Sequence, residues 1–264
     1  MPKCVRFNIV EKPLLPLSAP LDAIYRMVDA RVAEHDHMNA MKNPVHYFSV
    51  GASAIHLIRA NLILAKLSSP KSILDFACGA GRVTRWLRAA FPAAEISCAD
   101  VREIDLAFLE AAFKVRTWRS ASSFDNLVAP TSFDLIWVGS LLTHLSESDS
   151  RIIISKFMNW LQPNGLLIFT FHGRRVLLGK TLRNAKYISD SKFVIAKDSY
   201  LRTGYGYQDY DDQKGLGFSL TKPGWIFDIA AEHDNWTVLG TYERAWDDHH
   251  DACAILNAPI CIPI

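Results

Sequence analysis

The chain has no C-x-x-C pair, and its five cysteines, Cys4, Cys78, Cys98, Cys253 and Cys261, are odd in number and scattered. That excludes a disulfide framework of the secreted kind and supplies no zinc motif, so the thiols read as reduced and the expected compartment is cytoplasmic. Concentrated positive charge is missing as well. The 29 lysines and arginines face 27 acidic residues, a formal net charge of +2 at pH 7, and basic residues gather only in short pairs such as Arg174-Arg175. No nucleic-acid partner is expected, because phosphate binding without sequence preference needs a concentrated basic surface. The opening Met1-Pro2-Lys3-Cys4-Val5-Arg6 lacks the continuous apolar core of a signal segment, and no run of about eighteen uncharged apolar residues is read anywhere, so neither export nor a membrane is expected. Internal repeats and low-complexity stretches are absent too.

Apolar residues are abundant. They make up 50% of 264 residues, enough for a full core, and the length fits one elaborated α/β domain.

The most informative stretch is Ser72-Ile73-Leu74-Asp75-Phe76-Ala77-Cys78-Gly79-Ala80-Gly81-Arg82. An apolar strand runs into a turn of small residues and then into a helix. Ala77, Gly79 and Gly81 let the backbone approach a ligand closely, and the helix beginning near Arg82 directs N–H groups toward that space. A dinucleotide fingerprint would carry a third glycine three residues after Gly81, to let helix and strand pack closely. Thr84 stands there instead, which disfavours a nicotinamide-dependent reductase. Asp75 at the strand end would repel a pyrophosphate but suits a ligand carrying an ammonium and a sulfonium. S-adenosylmethionine is such a ligand. About nineteen residues beyond the glycines, Ala94-Glu95-Ile96-Ser97-Cys98-Ala99-Asp100 is a second strand ending in a carboxylate, the place where an acid bonds ribose hydroxyls in doubly wound folds.

With these residues in hand the chain resembles the class I S-adenosylmethionine-dependent methyltransferases. Their first motif, an acidic residue followed by x-G-x-G-x-G, is matched by Asp75 to Gly81 with Ala77 in place of the first glycine, a change that makes a positive φ at Ala77 costly. The resemblance runs on through Phe133-Asp134-Leu135-Ile136-Trp137-Val138 as a fourth strand and Leu161-Gln162-Pro163-Asn164-Gly165 followed by Leu166 to Thr170 as a turn and fifth strand. It implies a Rossmann-like, doubly wound α/β sheet of seven strands, mostly parallel, with the last inserted antiparallel. It implies S-adenosyl-L-methionine as cofactor, with Asp75, Ala77, Cys78, Gly79, Gly81 and Arg82 around the methionine portion, Asp100 at the ribose, Val101 on an adenine face, and Ser120, Ala121 and Ser122 at the adenine edge. Gly139 and Ser140, after the fourth strand, complete that set.

Strands are expected near Ser72–Phe76, Glu95–Ala99, Lys114–Trp118, Leu135–Val138, Leu166–Phe171, Trp236–Tyr242 and Cys253–Leu256, and helices near Arg82–Phe91, Ile104–Phe113, Asp149–Trp160 and Pro223–His233. Residues 1–69 read as an N-terminal helical cap, with helices over Leu21–Glu34 and Ala52–Leu67 and no strand alternation. Residues 70–264 read as the methyltransferase domain, interrupted at about 173–222 by a long irregular insertion whose aromatics suit a substrate-facing lid. The linker histidines His35, His37 and His46 lack acidic and cysteine partners at ligand spacing, so no metal is expected there.

For methyl transfer, His144 after the fourth strand is a candidate general base, since an imidazole titrates near neutrality. His172 after the fifth strand is a second candidate. Asp248 and His249 belong to a third set, Arg244-Ala245-Trp246-Asp247-Asp248-His249-His250-Asp251, which reads equally as an acid/base turn and as a solvated hairpin. Arg174 and Arg175 could bind an anionic acceptor, although solvated loop arginines are the ordinary case. Gly139-Ser140-Leu141-Leu142-Thr143-His144-Leu145 and this late cluster also resemble, more loosely, bacterial methyltransferases acting on small metabolites or sugars. The expectation is O-methylation of a small-molecule acceptor; the alternatives are a small-molecule N-methyltransferase and a non-catalytic S-adenosylmethionine-binding protein. Oligomeric state is not readable.

Overall fold

A computed structural model describes residues 4–6, 19–38, 42–121, 123–178 and 188–258. By its contacts the chain divides into two compact units, Met1–Ser122 and Ser123–Ile264. The first holds β1 (Cys4–Arg6), α1 (Ala19–Met27), β2 (Arg31–Ala33), α2 (Pro44–Leu64), β3 (Ser72–Phe76), α3 (Thr84–Ala90), β4 (Glu95–Asp100), α4 (Glu103–Phe113) and β5 (Arg116–Arg119). The second holds β6 (Phe133–Val138), a 3-10 turn (Leu142–His144), α5 (Glu147–Trp160), β7 (Leu161–Phe171), α6 (Arg174–Leu178), α7 (Asp190–Thr203), β8 (Tyr205–Asp209), β9 (Gly217–Thr221), α8 (Pro223–Ala230), β10 (Trp236–Trp246) and β11 (His250–Asn257).

Seven strands make one sheet in the order β10-β11-β7-β6-β3-β4-β5. In the first unit β3, β4 and β5 pair in parallel; in the second β6 and β7 pair in parallel while β11 runs antiparallel to both β7 and β10. The expected α/β class, seven strands and antiparallel last strand are all present. Ile73, Leu74, Ile96, Leu135, Ile136, Val138 and Leu166 to Phe169 are buried. Burial on both faces accounts for the unbroken apolar runs that marked these strands in the sequence.

Two expectations need correcting. The helix read over Leu21–Glu34 stops at Met27, because the Asp29 carboxylate accepts from the Arg31 N–H at 2.9 Å and its Nε at 3.0 Å. That local bond offers the backbone an alternative to helix, and Arg31–Ala33 then pairs with Cys4–Arg6 as a short antiparallel ladder. The second helix begins at Pro44, eight residues earlier than expected, with Asn43 Oδ1 capping the His46 N–H at 3.0 Å and proline in the first turn, a favourable place for it. By length and composition α2 could cross a membrane, yet Tyr47, Phe48, Val50, Ala54, Ile55, Ile58 and Leu62 are buried inside the first unit.

The stretch 173–222 is also more regular than expected. Its described part carries α6, α7 and the β8–β9 hairpin, with Val176, Ile188, Ala196, Tyr200, Phe218 and Leu220 forming a core of their own.

Candidate functional site

In the first unit the turn after β3 is built by hydrogen bonds to β4. The Ala77 and Cys78 N–H groups both donate to the Ala99 carbonyl, at 2.8 and 3.3 Å. Asp100 Oδ2 accepts from the Gly79 N–H at 2.8 Å and its Oδ1 from the Arg102 N–H at 3.0 Å. The carboxylate thus fixes the turn while both its oxygens keep lone pairs for a further donor. Gly79 has φ +51°, and a Cβ built on it would meet nothing within 4 Å, so open space lies over it. Gly81 differs: a Cβ there would run into Leu109 and Phe113 of α4, so this glycine lets α4 pack close. Ala77 does adopt the costly conformation, φ +59°, held there by its bond to β4.

Asp75 is only 2% exposed. Its Oδ2 accepts from the Thr84 hydroxyl at 2.6 Å, and burial, opposed by that bond and reinforced by the charge of Asp100, pushes its carboxyl up to about 7. Thr84, which breaks the dinucleotide pattern, is therefore the partner of the motif's acid. The thiol of Cys78 is buried and pushed well above its ordinary value, by burial first and then by Cys98, and stays protonated. Val101 is 49% exposed, an apolar surface beside Asp100. Ser120 is buried and donates its N–H to the Asp100 carbonyl at 2.9 Å, and Ala121 is exposed. Ser122 lies outside the described residues. Arg82 reaches the other way: its Nη2 donates to the Met38 carbonyl at 3.2 Å and its guanidinium lies over the Tyr47 ring.

Sequence reasoning missed Arg85, which is 1% exposed. Its guanidinium donates to the carbonyls of Gly81 at 2.9 Å, Asp29 at 3.1 Å and Arg31 at 2.5 Å, and to the Tyr47 hydroxyl at 3.2 Å. It lies over the rings of Tyr47, Phe48 and Phe113. Arg85 thereby ties the glycine turn to β2 and α2. The available signal was a cation beside Trp86 and Leu87 on the helix face that the pattern buries. Of the linker histidines, His35 pairs with buried Asp105 at 3.0 Å, while His46 sits in the first turn of α2.

In the second unit the ends of β6 and β7 gather the histidines. Gly139 packs against Trp137 and Trp246. Ser140, at φ +63°, donates its N–H to Thr170 Oγ1 at 2.8 Å. His144 lies in the 3-10 turn with Nδ1 2.5 Å from the Tyr210 hydroxyl and 3.3 Å from the Gly217 carbonyl, and burial lowers its pKa. Tyr210 was not singled out in the sequence. His172 is buried, Nδ1 3.1 Å from the Ser219 carbonyl, its pKa pushed down to about 3 by burial and then by His144 and His249. Its ring stands 5.4 Å from that of His249 and 5.0 Å from that of His250. Asp248 does not join them. Its carboxylate is exposed and held below the usual range by Arg244 Nε at 2.5 Å, with Arg175 at 3.6 Å. Arg174 pairs with Glu243.

Residues 73–165 match the family described as Methyltransferase domain. A malonyl-[acyl-carrier protein] O-methyltransferase from Halalkalibacterium halodurans is 31% identical over 174 residues, 59% of this chain and 53% of that protein. The chain therefore spans about half the length of this curated relative. Two solved structures share the fold. An S-adenosylmethionine-dependent methyltransferase from Clostridium acetobutylicum aligns with TM-score 0.53 at 14% identity, covering 84% of this chain and 95% of that one. The N-methyltransferase NodS from Bradyrhizobium japonicum, in complex with S-adenosyl-l-homocysteine, aligns with TM-score 0.52 at 16% identity over 91% and 99% of the two chains.

Proposed function

Residues 73–165 being a methyltransferase domain within the class I S-adenosylmethionine-dependent methyltransferase fold, we propose that the chain transfers a methyl group from S-adenosyl-L-methionine to a hydroxyl of a small molecule or sugar. The observation that carries the cofactor half is the Asp100 carboxylate bonded to the Gly79 N–H beneath open space. In this reading the turn Ala77–Gly81 receives the methionine portion, Asp100 the ribose, and Val101, Ser120 and Ala121 the adenine. The helices of residues 1–69 serve as a cap and the segment 173–222 as a lid over the acceptor.

Methyl transfer from a sulfonium is an in-line displacement: the S–CH3 bond breaks as an O–CH3 bond forms, the sulfur leaves neutral, and the acceptor hydroxyl must give up a proton. His144 takes that proton. Burial keeps its imidazole neutral, and Tyr210 and Gly217 hold Nδ1, so Nε2 is the atom that accepts it. Asp248 is left out of this scheme because two arginines engage it.

The test is transfer of labelled methyl to a panel of sugars and hydroxylated metabolites set beside a panel of amines. Hydroxyl acceptors should be methylated, and His144→Ala should lower turnover by roughly 10²–10⁴-fold with unchanged affinity for S-adenosylhomocysteine. Methylation of amines alone would replace the reading by an N-methyltransferase. Tight cofactor binding with no transfer to either panel would replace it by a binding protein, and full activity in His144→Gln would remove the base.

A further inference from the structure

The late His249-His250 pair and His172 are far apart in sequence, and the sheet brings them together. In the β7–β11 ladder Asp251 lies opposite Phe171 and Ala252 opposite Thr170, so one step further His250 falls opposite His172 on the same face of the sheet. His249, in the turn before β11, closes the group: its ring is 4.9 Å from that of His250. One ligand nitrogen from each of the three lies within 4.8 Å of the others.

We propose that His172, His249 and His250 form a binding site for a divalent transition-metal ion of the zinc class. His172 has its Nδ1 held by the Ser219 carbonyl at 3.1 Å, and His250 has its Nδ1 3.3 Å from the Thr170 hydroxyl, which itself accepts from the Ser140 N–H. The Ser219 carbonyl can only accept, so His172 carries its proton on Nδ1 and keeps Nε2 as a lone-pair donor, the arrangement in which histidine binds metals; the Thr170 hydroxyl can serve His250 Nδ1 in either direction. Three imidazole nitrogens around an ion at the usual zinc distance lie about 3.3 Å apart, so the three, now within 4.8 Å of one another, must draw together on binding, and His249 is the least buried of them. An all-imidazole set suits zinc, cobalt, nickel or copper and disfavours magnesium and calcium, which require oxygen ligands.

Two of the nearby carboxylates point elsewhere, while the charge of Asp247 acts on His249. Asp251 alternates to the opposite face, where it accepts from the Arg244 N–H at 2.8 Å, and Asp248 is taken by Arg244 and Arg175. Three protein ligands leave a fourth position for water or an oxygen or nitrogen donor from a small molecule, as in catalytic rather than structural zinc sites. The proposal stands on the second unit alone and does not depend on the acceptor proposed above.

The experiment uses the untagged full chain, stripped with chelator and titrated with Zn²⁺ against a chromophoric competitor, and with Co²⁺ followed by its visible absorption. About one ion per chain is expected, with a four-coordinate cobalt spectrum, and His249→Ala and His250→Gln should each weaken binding at least about 10-fold. Circular dichroism melts identify any variant that fails to fold. Zinc-edge X-ray absorption on the wild-type protein supplies an independent count of imidazole ligands. Binding equal in wild type and folded His249→Ala, a six-coordinate cobalt spectrum, or fewer than three imidazoles at the zinc edge would each overturn the proposal.

Discussion

Arg85→Met is the sharpest test of how the glycine turn is held. Methionine keeps the aliphatic stem among Tyr47, Phe48 and Phe113 and removes only the guanidinium. Four carbonyls, of Gly81, Asp29, Arg31 and, at 3.5 Å, Ala80, and the Tyr47 hydroxyl then lose a donor inside the first unit. An acceptor left short of a partner costs up to about 1–3 kcal/mol, and less at the Gly81 carbonyl, which keeps the Arg85 N–H at 3.4 Å, and at the Tyr47 hydroxyl, which keeps Asp36 at 2.6 Å. Against this, the variant no longer desolvates a cation, which returns several kcal/mol. The balance is a net loss of about 2–4 kcal/mol, because the groups left behind are neutral carbonyls and a hydroxyl rather than an unpaired buried charge. For a chain of this size that lowers Tm by roughly 4–16 °C. Urea unfolding followed by tryptophan fluorescence measures it, because Trp86 adjoins the substituted residue. Arg85→Lys should lose nearly as much, since a single ammonium cannot reproduce the fork that spans the Gly81 and Arg31 carbonyls. A midpoint for Arg85→Met corresponding to less than about 1 kcal/mol of change would mean that these bonds are not what secures the turn.

Three further outcomes follow from the proposed cofactor turn and the acid before it. Asp100→Ala should weaken S-adenosylhomocysteine binding by about 1–3 kcal/mol, and unchanged calorimetric affinity in the folded variant would reject the ribose assignment. Gly79→Val should abolish binding and also cost about 1–2 kcal/mol of stability through its positive φ; a variant that binds normally would place the ligand elsewhere. Asp75 is neutral in the folded chain up to about pH 7 but ionises near pH 3.9 when unfolded. Its contribution to stability is therefore complete below about pH 4 and declines as pH rises through about 7, by a total on the order of 4 kcal/mol. Asp75→Asn should flatten that decline, and equal slopes in variant and wild type would show that the carboxyl is not held neutral.

The turn after β3 was legible as structure because its logic is local: strand, small residues, helix and acid follow one another within a span that pairs β3 with β4. Other parts needed partners that the sequence does not show side by side. The segment 173–222 was expected to be irregular, yet Gly206 and Gly217 each occupy a strand where a side chain would collide with a carbonyl, of Ala196 and of Gln208. Glycine there records close backbone approach rather than irregularity. The separate roles of the late residues were hidden for a similar reason. Only the register against β7 puts His250 beside His172 and sends Asp251 to the other face, and only the turn geometry gives Asp248 to the arginines. The sequence marked Arg85 only as a cation on a buried helix face; its partners were illegible because, Tyr47 apart, they are main-chain carbonyls, which every residue carries.

The position of β11 bears on how the chain acquires this structure during synthesis. It pairs with β7 on one side and β10 on the other, and Asp251 meets Phe171 across a separation of 80 residues. At about 5–20 residues per second, β7 waits roughly 4–16 s after it is made with one row of N–H and C=O groups unpaired. That row is an open edge in a strand whose second half is wholly apolar or threonine, the kind of surface that captures a strand from a neighbouring nascent chain. The exposure of that edge is thus a matter of timing, set by the rate at which the intervening segment is translated and folded.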